Sequence, residues 1–198
     1  MGAQRREATE MSKRTGRNQK RRKRGNQSRA RLEDGKPRHG VNTLLWHYTT
    51  GECFENIFDD RFIRPATAWV AEDERPIVWF SSNQEWEPTS TKTFVPHYGQ
   101  AWRLSKEELR VRGSGLVRFG VTRRTASLDW TAIKRLSGMS RDTARDLKVI
   151  GRRLGSKPEW WYGTFNPVQR FEWVAIDVLG EGQWVRVFRD GELVERCA

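Results

Sequence analysis

Apolar and polar residues fall into recognisable periods over only parts of this chain, and those parts mark its elements. "TLLWHYT" (residues 43–49) reads as a short apolar strand whose end carries an imidazole, a phenol and hydroxyls. In "GECFENIFDDRFI" (51–63), Phe54, Ile57 and Phe58 recur at i, i+3 and i+4, the spacing of one helix face. Thr50 is placed to cap that helix, and Glu52 sits in its first turn, where a carboxylate meets the positive end of the helix dipole. Arg64-Pro65 is expected to end it, because proline pushes its predecessor out of the α region.

"PIVWFSS" (76–82) is a continuous apolar run closing on serines, which predicts a buried strand. Residues 83–103 show no clear period, and an irregular segment of that length is often a binding loop or lid. "GLVRFGV" (115–121) predicts another strand. "SLDWTAIKRL" and "SRDTARDLKVIGRRLG" predict helices with Ser127 and Ser140 as N-caps, Gly155 as the residue past the second, and Ala144, Leu147, Ile150 and Leu154 as its apolar stripe. "RFEWVAIDVL" (170–179) reads as a strand with Phe171, Trp173 and Ala175 on one side and Glu172, Val174 and Ile176 on the other. The closing "QWVRVFRDGELVER" reads as a hairpin turning at Asp190-Gly191. Short strands, few helices and no regular βαβ alternation predict an α+β fold.

Charge divides the chain into two materials. Residues 1–40 hold 14 Lys/Arg and 4 Asp/Glu, net +10, which leaves +2 of the total +12 for residues 41–198. All 10 tryptophans lie after residue 40. The first segment lacks the apolar surface that would offset the entropy of ordering it, so a disordered basic arm (1–40) is expected ahead of one domain (41–198). Within the arm, "KRTGRNQKRRKRGNQSRAR" (13–31) is a blocky polycation, with Arg21, Arg22, Lys23 and Arg24 at its centre. Such a run neutralises phosphates and gains from counterion release, which makes nucleic acid, RNA first, or a ribonucleoprotein the expected partner. A merely solubilising tail is the plain alternative.

No apolar signal core and no run of 18 apolar residues occurs, so a cytoplasmic protein without a membrane partner is expected. Two distant cysteines, Cys53 and Cys197, argue against a disulfide framework or a zinc site. Three histidines without HxH or HExxH spacing point the same way, so no metal is expected. Neither a GxSxG elbow nor a Gly-rich phosphate loop is present. What remains as candidate chemistry is His47-Tyr48-Thr49 at one strand end, Ser81-Ser82 at another, and Glu172 near the start of a late strand.

The order of these motifs resembles the ADP-ribosyltransferase fold. A strand bearing "HYT", a short helix ending "FIRPAT", a strand "PIVWFSSN" and a late "WWYGTFNPVQRFEWVAIDVL" are similar to its small bacterial and phage members, including toxins that ADP-ribosylate nucleic acids. The resemblance implies a split, curved, mostly antiparallel sheet holding NAD in its cleft, with NAD as substrate. It implies that His47 binds the nicotinamide ribose and that Tyr48 or Phe80 stacks on the nicotinamide ring. Thr49 and Ser81 would line the same cleft. Glu172 would bind a ribose hydroxyl and stabilise the oxocarbenium-like transition state, with Asp177 a competitor for that role. His47 and Glu172 are thus the expected catalytic pair. The activity implied is transfer of ADP-ribose to RNA or an RNA-associated protein, as a toxin or phage–host conflict enzyme with an antitoxin or inhibitor as a further partner.

Two other readings fit the same residues. One is a non-enzymatic basic nucleic-acid-binding protein in which His47 belongs to the core. The other is a different NAD-dependent activity, such as NAD hydrolysis or removal of an RNA 2′-phosphate.

Overall fold

Strand β6 (Leu116–Val121) is buried at all six positions, and the fold is laid out on either side of it. A computed structural model of the chain describes residues 43–68 and 70–194. The basic arm, with Arg21, Arg22, Lys23 and Arg24, lies outside the described residues, as does Cys197. The described residues form an α+β structure: an eight-stranded sheet, two small ribbons and four helices. All described pairings are antiparallel.

β6 pairs along its whole length with β1 (Leu45–Thr50), from Leu45 opposite Val121 to Thr50 opposite Leu116. On its other side lies β10 (Trp173–Gly180), followed outward by β11 (Gln183–Arg189) and β12 (Glu192–Leu193). Beyond β1 come β3 (Val78–Ser81), β8 (Trp161–Thr164) and β7 (Leu128–Asp129). β2 (Phe62–Ile63) pairs with β9 (Val168–Gln169), and β4 (Thr93–Phe94) with β5 (Trp102–Arg103).

The two faces of the sheet are filled differently. One packs Leu45, Phe80, Phe119, Trp173, Ile176 and Phe188 in a core closed by Phe54, Ile57 and Phe58 of helix α1 (Gly51–Asp60). These three side chains are partly buried, so each contributes a part of the about 1.5–3 kcal/mol of full burial. The helical spacing of those three residues is therefore what docks α1. The other face carries Trp46, Tyr48 and Ala175 beneath Trp86 and Trp184. Gly120 lies opposite Trp46, and a Cβ there would come within 2.7 Å of the indole, so only glycine admits the ring. On this face the Asp177 carboxylate is held by Arg118, with Nε at 2.9 Å, and by Arg186.

Several boundaries differ from the expected ones, each for a local reason. α1 stops at Asp60 because Arg61 turns left-handed (φ 63°) and Phe62 enters the ribbon with β9; the break precedes Arg64-Pro65. Ser127 is not an N-cap: Leu128 and Asp129 first pair with β8. Helix α3 (Trp130–Leu136) is capped instead by Asp129, whose carboxylate accepts from the Ala132 amide at 2.9 Å. The late strand begins at Trp173, because 170–172 form a single 3₁₀ turn that leaves Phe171 exposed. A register shift between Trp173 and Ala175 breaks the alternation, so Trp173 shares its face with Ile176 and Ala175 takes the opposite one. The closing hairpin turns at Asp190 (φ 50°) and Gly191 (φ 99°), as the Asp-Gly pair predicts.

Helix α2 (Lys106–Arg112) starts in a capping box between Ser105 and Glu108. Helix α4 (Arg141–Arg153) is capped by Ser140 as expected, but its apolar stripe is not sunk into the core. Leu147 and Ile150 stay 36% and 43% exposed, and the helix seats through Gly151 on Trp161, where a Cβ would approach the ring to 2.4 Å. No helix of the described residues is long and apolar enough to cross a membrane.

Candidate functional site

Strands β1 and β3 part almost as soon as they meet. Their register contains the single pair Trp46–Ser81, whereas β1 stays paired with β6 to its end. Past that point the side chain of His47 bridges the gap, its Nδ1 3.0 Å from the Trp79 carbonyl oxygen. A carbonyl only accepts, so Nδ1 carries the proton and Nε2 is the basic nitrogen. Burial lowers the pKa of this imidazole from 6.5; the bond to Trp79 raises it by less, and the Lys92 charge lowers it further. His47 is accordingly neutral at pH 7, with Nε2 an acceptor.

The parting opens into a cavity of about 340 Å³. Its walls come from β1 (His47, Tyr48), β3 (Trp79, Phe80), the turn at Glu87–Ser90, Arg103 of β5, Trp161 of β8, and Leu147 and Ile150 of α4. The volume falls within the range of small-molecule sites, and apolar walls with a few convergent polar groups are their usual composition. Phe80 and the imidazole pack with ring centroids 5.8 Å apart at 60°.

Glu87 is the carboxylate of this cavity, and it is buried. Its Oε2 accepts from the Ser81 hydroxyl at 2.7 Å; its Oε1 accepts from the Thr89 hydroxyl at 2.7 Å and from the Thr89 amide at 3.2 Å. The Trp161 indole N–H points to Oε1 at 3.4 Å and donates to Ser156 at 2.8 Å. These donors fix the position of the carboxylate. Ser81 also accepts from the Asn83 amide at 3.1 Å, so it ties the strand end to the turn that carries Glu87.

The Tyr48 hydroxyl donates to the Asn83 carbonyl at 2.6 Å, and its ring packs against Trp86 and Trp184. Burial chiefly pushes the phenol up to about 12, with Glu87 and Asp177 adding and Arg118 opposing, so it remains a donor across the physiological range.

Of the residues expected to act together, His47, Tyr48 and Phe80 line the one cavity, and Ser81 stands behind it through Glu87. Thr49 is buried against β6, opposite Val117, and does not line the cavity. Glu172 lines a second, polar cavity of about 660 Å³ with Arg124, Asn166 and Phe171, and its carboxylate turns back to accept from the Gln169 amide at 2.9 Å. Asp177 is locked between two arginines.

Sequence reasoning read 83–103 as a binding loop or lid but gave no individual role to Glu87 or Arg103 within it, and none in this cavity to Trp161 or the α4 residues. A signal for Glu87 existed in "EPT": an acidic residue ahead of a proline at the first position of a helical turn is a capping arrangement, and Glu87 caps the 3₁₀ turn Pro88–Ser90. The chain matches no protein-family model, no curated protein and no solved structure.

Proposed function

We propose that the cavity between β1 and β3 binds NAD and that the protein transfers ADP-ribose, with release of nicotinamide, to a macromolecular acceptor, nucleic acid first. The observation that carries this reading is the presence of a neutral His47, Phe80 and a buried Glu87 carboxylate on the walls of one cavity where the sheet parts. Nε2 of His47 would accept from a ribose hydroxyl, and Phe80 or Tyr48 would meet the nicotinamide ring.

In the reaction the C1′–N glycosidic bond breaks and its electron pair leaves with neutral nicotinamide. The sugar, carrying oxocarbenium character, is then captured by an acceptor oxygen or nitrogen whose proton passes to water. Such a step needs orientation and negative charge where positive charge develops. Of the carboxylates considered, Glu87 is the one that shares the cavity with His47, so we assign it the stabilising role expected of Glu172. The net +10 of residues 1–40 supports a polyanionic acceptor.

The test is incubation with NAD labelled in its adenylate half, in the presence of RNA, DNA and protein, for the wild type, Glu87→Gln, His47→Ala and Glu172→Ala. Label in one fraction, lost in the first two variants and kept in the third, is the expected result. Loss in Glu172→Ala alone would return the catalytic role to Glu172. Nicotinamide release without labelling would reassign the activity to NAD hydrolysis. A folded wild type that neither binds nor cleaves NAD would overturn the reading and favour a binding protein.

A further inference from the structure

The ribbon β4–β5 and its loop leave the sheet directly after the cavity's Glu87–Ser90 turn and return through Arg103, itself a cavity residue. Between Glu87 and Glu107 the chain has no carboxylate, while it carries Lys92, Arg103 and Lys106 together with Phe94, His97, Tyr98 and Trp102. Phe94 packs against the small core of Leu104, Leu109 and Leu116, whereas His97, Tyr98 and Trp102 are exposed. Tyr98 is 86% exposed and Trp102 41%, and Gly99 (φ 105°) makes the turn that presents Tyr98. At the base, Phe94 and Trp102 pack 4.9 Å apart and Arg112 lies 4.5 Å from the Phe94 ring. This fixes the ribbon's root and leaves its tip free. Of the two carboxylates that follow the ribbon in sequence, Glu107 accepts from Arg110 at 2.8 Å, and Glu108 accepts from the Ser105 amide at 2.8 Å and meets the Trp102 indole at the ribbon's root.

Cations interleaved with exposed rings, without acidic residues between them, are the composition of a surface for single-stranded nucleic acid. Bases stack on the rings, since every base has a π-face, while the cations follow the phosphates. A duplex hides its base faces and would meet only the charges. A protein partner would find little here to complement three cations except its own carboxylates, and would leave the most exposed ring without a pocket.

We infer that residues 92–103 form a single-stranded nucleic-acid-binding surface on which Tyr98 stacks a base and Arg103 meets the backbone at the mouth of the cavity. That the bound strand is the acceptor rests on the NAD reading; the binding itself does not.

The test uses the full chain, a labelled single-stranded oligonucleotide of about 12 nucleotides as RNA and as DNA, and a duplex of the same length. Measurement at about 0.3 M salt weakens the purely electrostatic contribution of the basic arm. Tyr98→Ala is expected to weaken single-strand binding about tenfold, within the range for loss of one stacked base, while Tyr98→Phe retains it and duplex binding is unchanged. A photo-reactive uracil in the strand should cross-link to the peptide containing Tyr98. Because Tyr98 is so exposed, the alanine variant keeps the fold, which circular dichroism checks. Equal binding by wild type and Tyr98→Ala, a wild type that prefers the duplex, or cross-links only to the arm would each overturn the inference. A protein that binds the strand through Tyr98 but never cleaves NAD would leave it standing while removing the proposed activity.

Discussion

The His47 imidazole donates to the Trp79 carbonyl across the gap between β1 and β3, at 3.0 Å, so a side chain performs a link that the parted backbones no longer make. The position thus has a structural task and a chemical one. The bond orients the ring and fixes its tautomer, and burial keeps it neutral.

A pH dependence follows from this pairing. The folded-state pKa of His47 lies below 6.5 while the unfolded chain titrates near that value, so below it the unfolded state binds the extra proton. The stability involved is complete above about pH 6.5 and declines as pH falls toward the folded-state pKa. Thermal unfolding of the wild type should therefore lose more stability between pH 7.5 and 5.5 than that of His47→Gln. Identical pH slopes would show that the ring is not desolvated.

Glu87 separates stability from activity. Glu87→Ala leaves the buried Ser81 hydroxyl and the half-buried Thr89 hydroxyl without their acceptor and should cost about 3 kcal/mol in urea unfolding. Glu87→Gln keeps the shape and replaces the carboxylate by an amide. It should unfold nearer the wild type, yet lower nicotinamide release about 100-fold, the loss typical when a positioned electrostatic group is removed from a transition state. A Gln variant with wild-type turnover would confine Glu87 to the scaffold.

How much of this was legible beforehand depended on whether a residue's neighbours are local. β1, β3, β6 and the terminal hairpin are runs whose period or turn dipeptide settles them, and they lie where the pattern puts them. Asp129 as a cap was hidden because Leu128–Asp129 pair with residues more than thirty positions away before α3 can start. The stripe Leu147–Ile150 has a perfectly helical spacing, but spacing cannot tell a core from the wall of a cavity. Neither could it tell that Glu172 and His47 line different cavities, because that depends on the parting of β1 and β3 and on the 3₁₀ turn before β10.

Cys53, in the first turn of α1, has competing influences. Burial raises its pKa, but hydrogen bonding with Thr50, the Lys92 charge and bonds to Lys92 and Thr49 outweigh it, and the net shift is downward. The Lys92 ammonium lies 3.3 Å from Sγ. Iodoacetamide should therefore alkylate Cys53 with a pH midpoint below that of an ordinary thiol, and Lys92→Met should move the midpoint upward. Mass spectrometry of the peptide gives the rate; a midpoint at or above the ordinary value would mean that burial prevails.

The cluster on the far face makes the sharpest stability prediction. Asp177 is buried with Arg118, whose Nη2 lies 2.7 Å from its Oδ2, and Arg118 is itself stacked 3.9 Å from the Trp46 ring and 4.5 Å from the Trp184 ring. Removing the carboxylate leaves a buried guanidinium without its counter-charge, so Asp177→Ala should cost about 3–5 kcal/mol. Arg118→Met removes the partner and restores apolar contact with the indoles. If the penalty arises from the orphaned charge rather than from lost packing, the double variant Arg118→Met/Asp177→Ala should be more stable than Asp177→Ala alone. Urea unfolding of the four proteins closes the cycle. Strict additivity would mean that the two side chains act independently, and that Trp46, beside the cavity, is held in place by the indole packing alone.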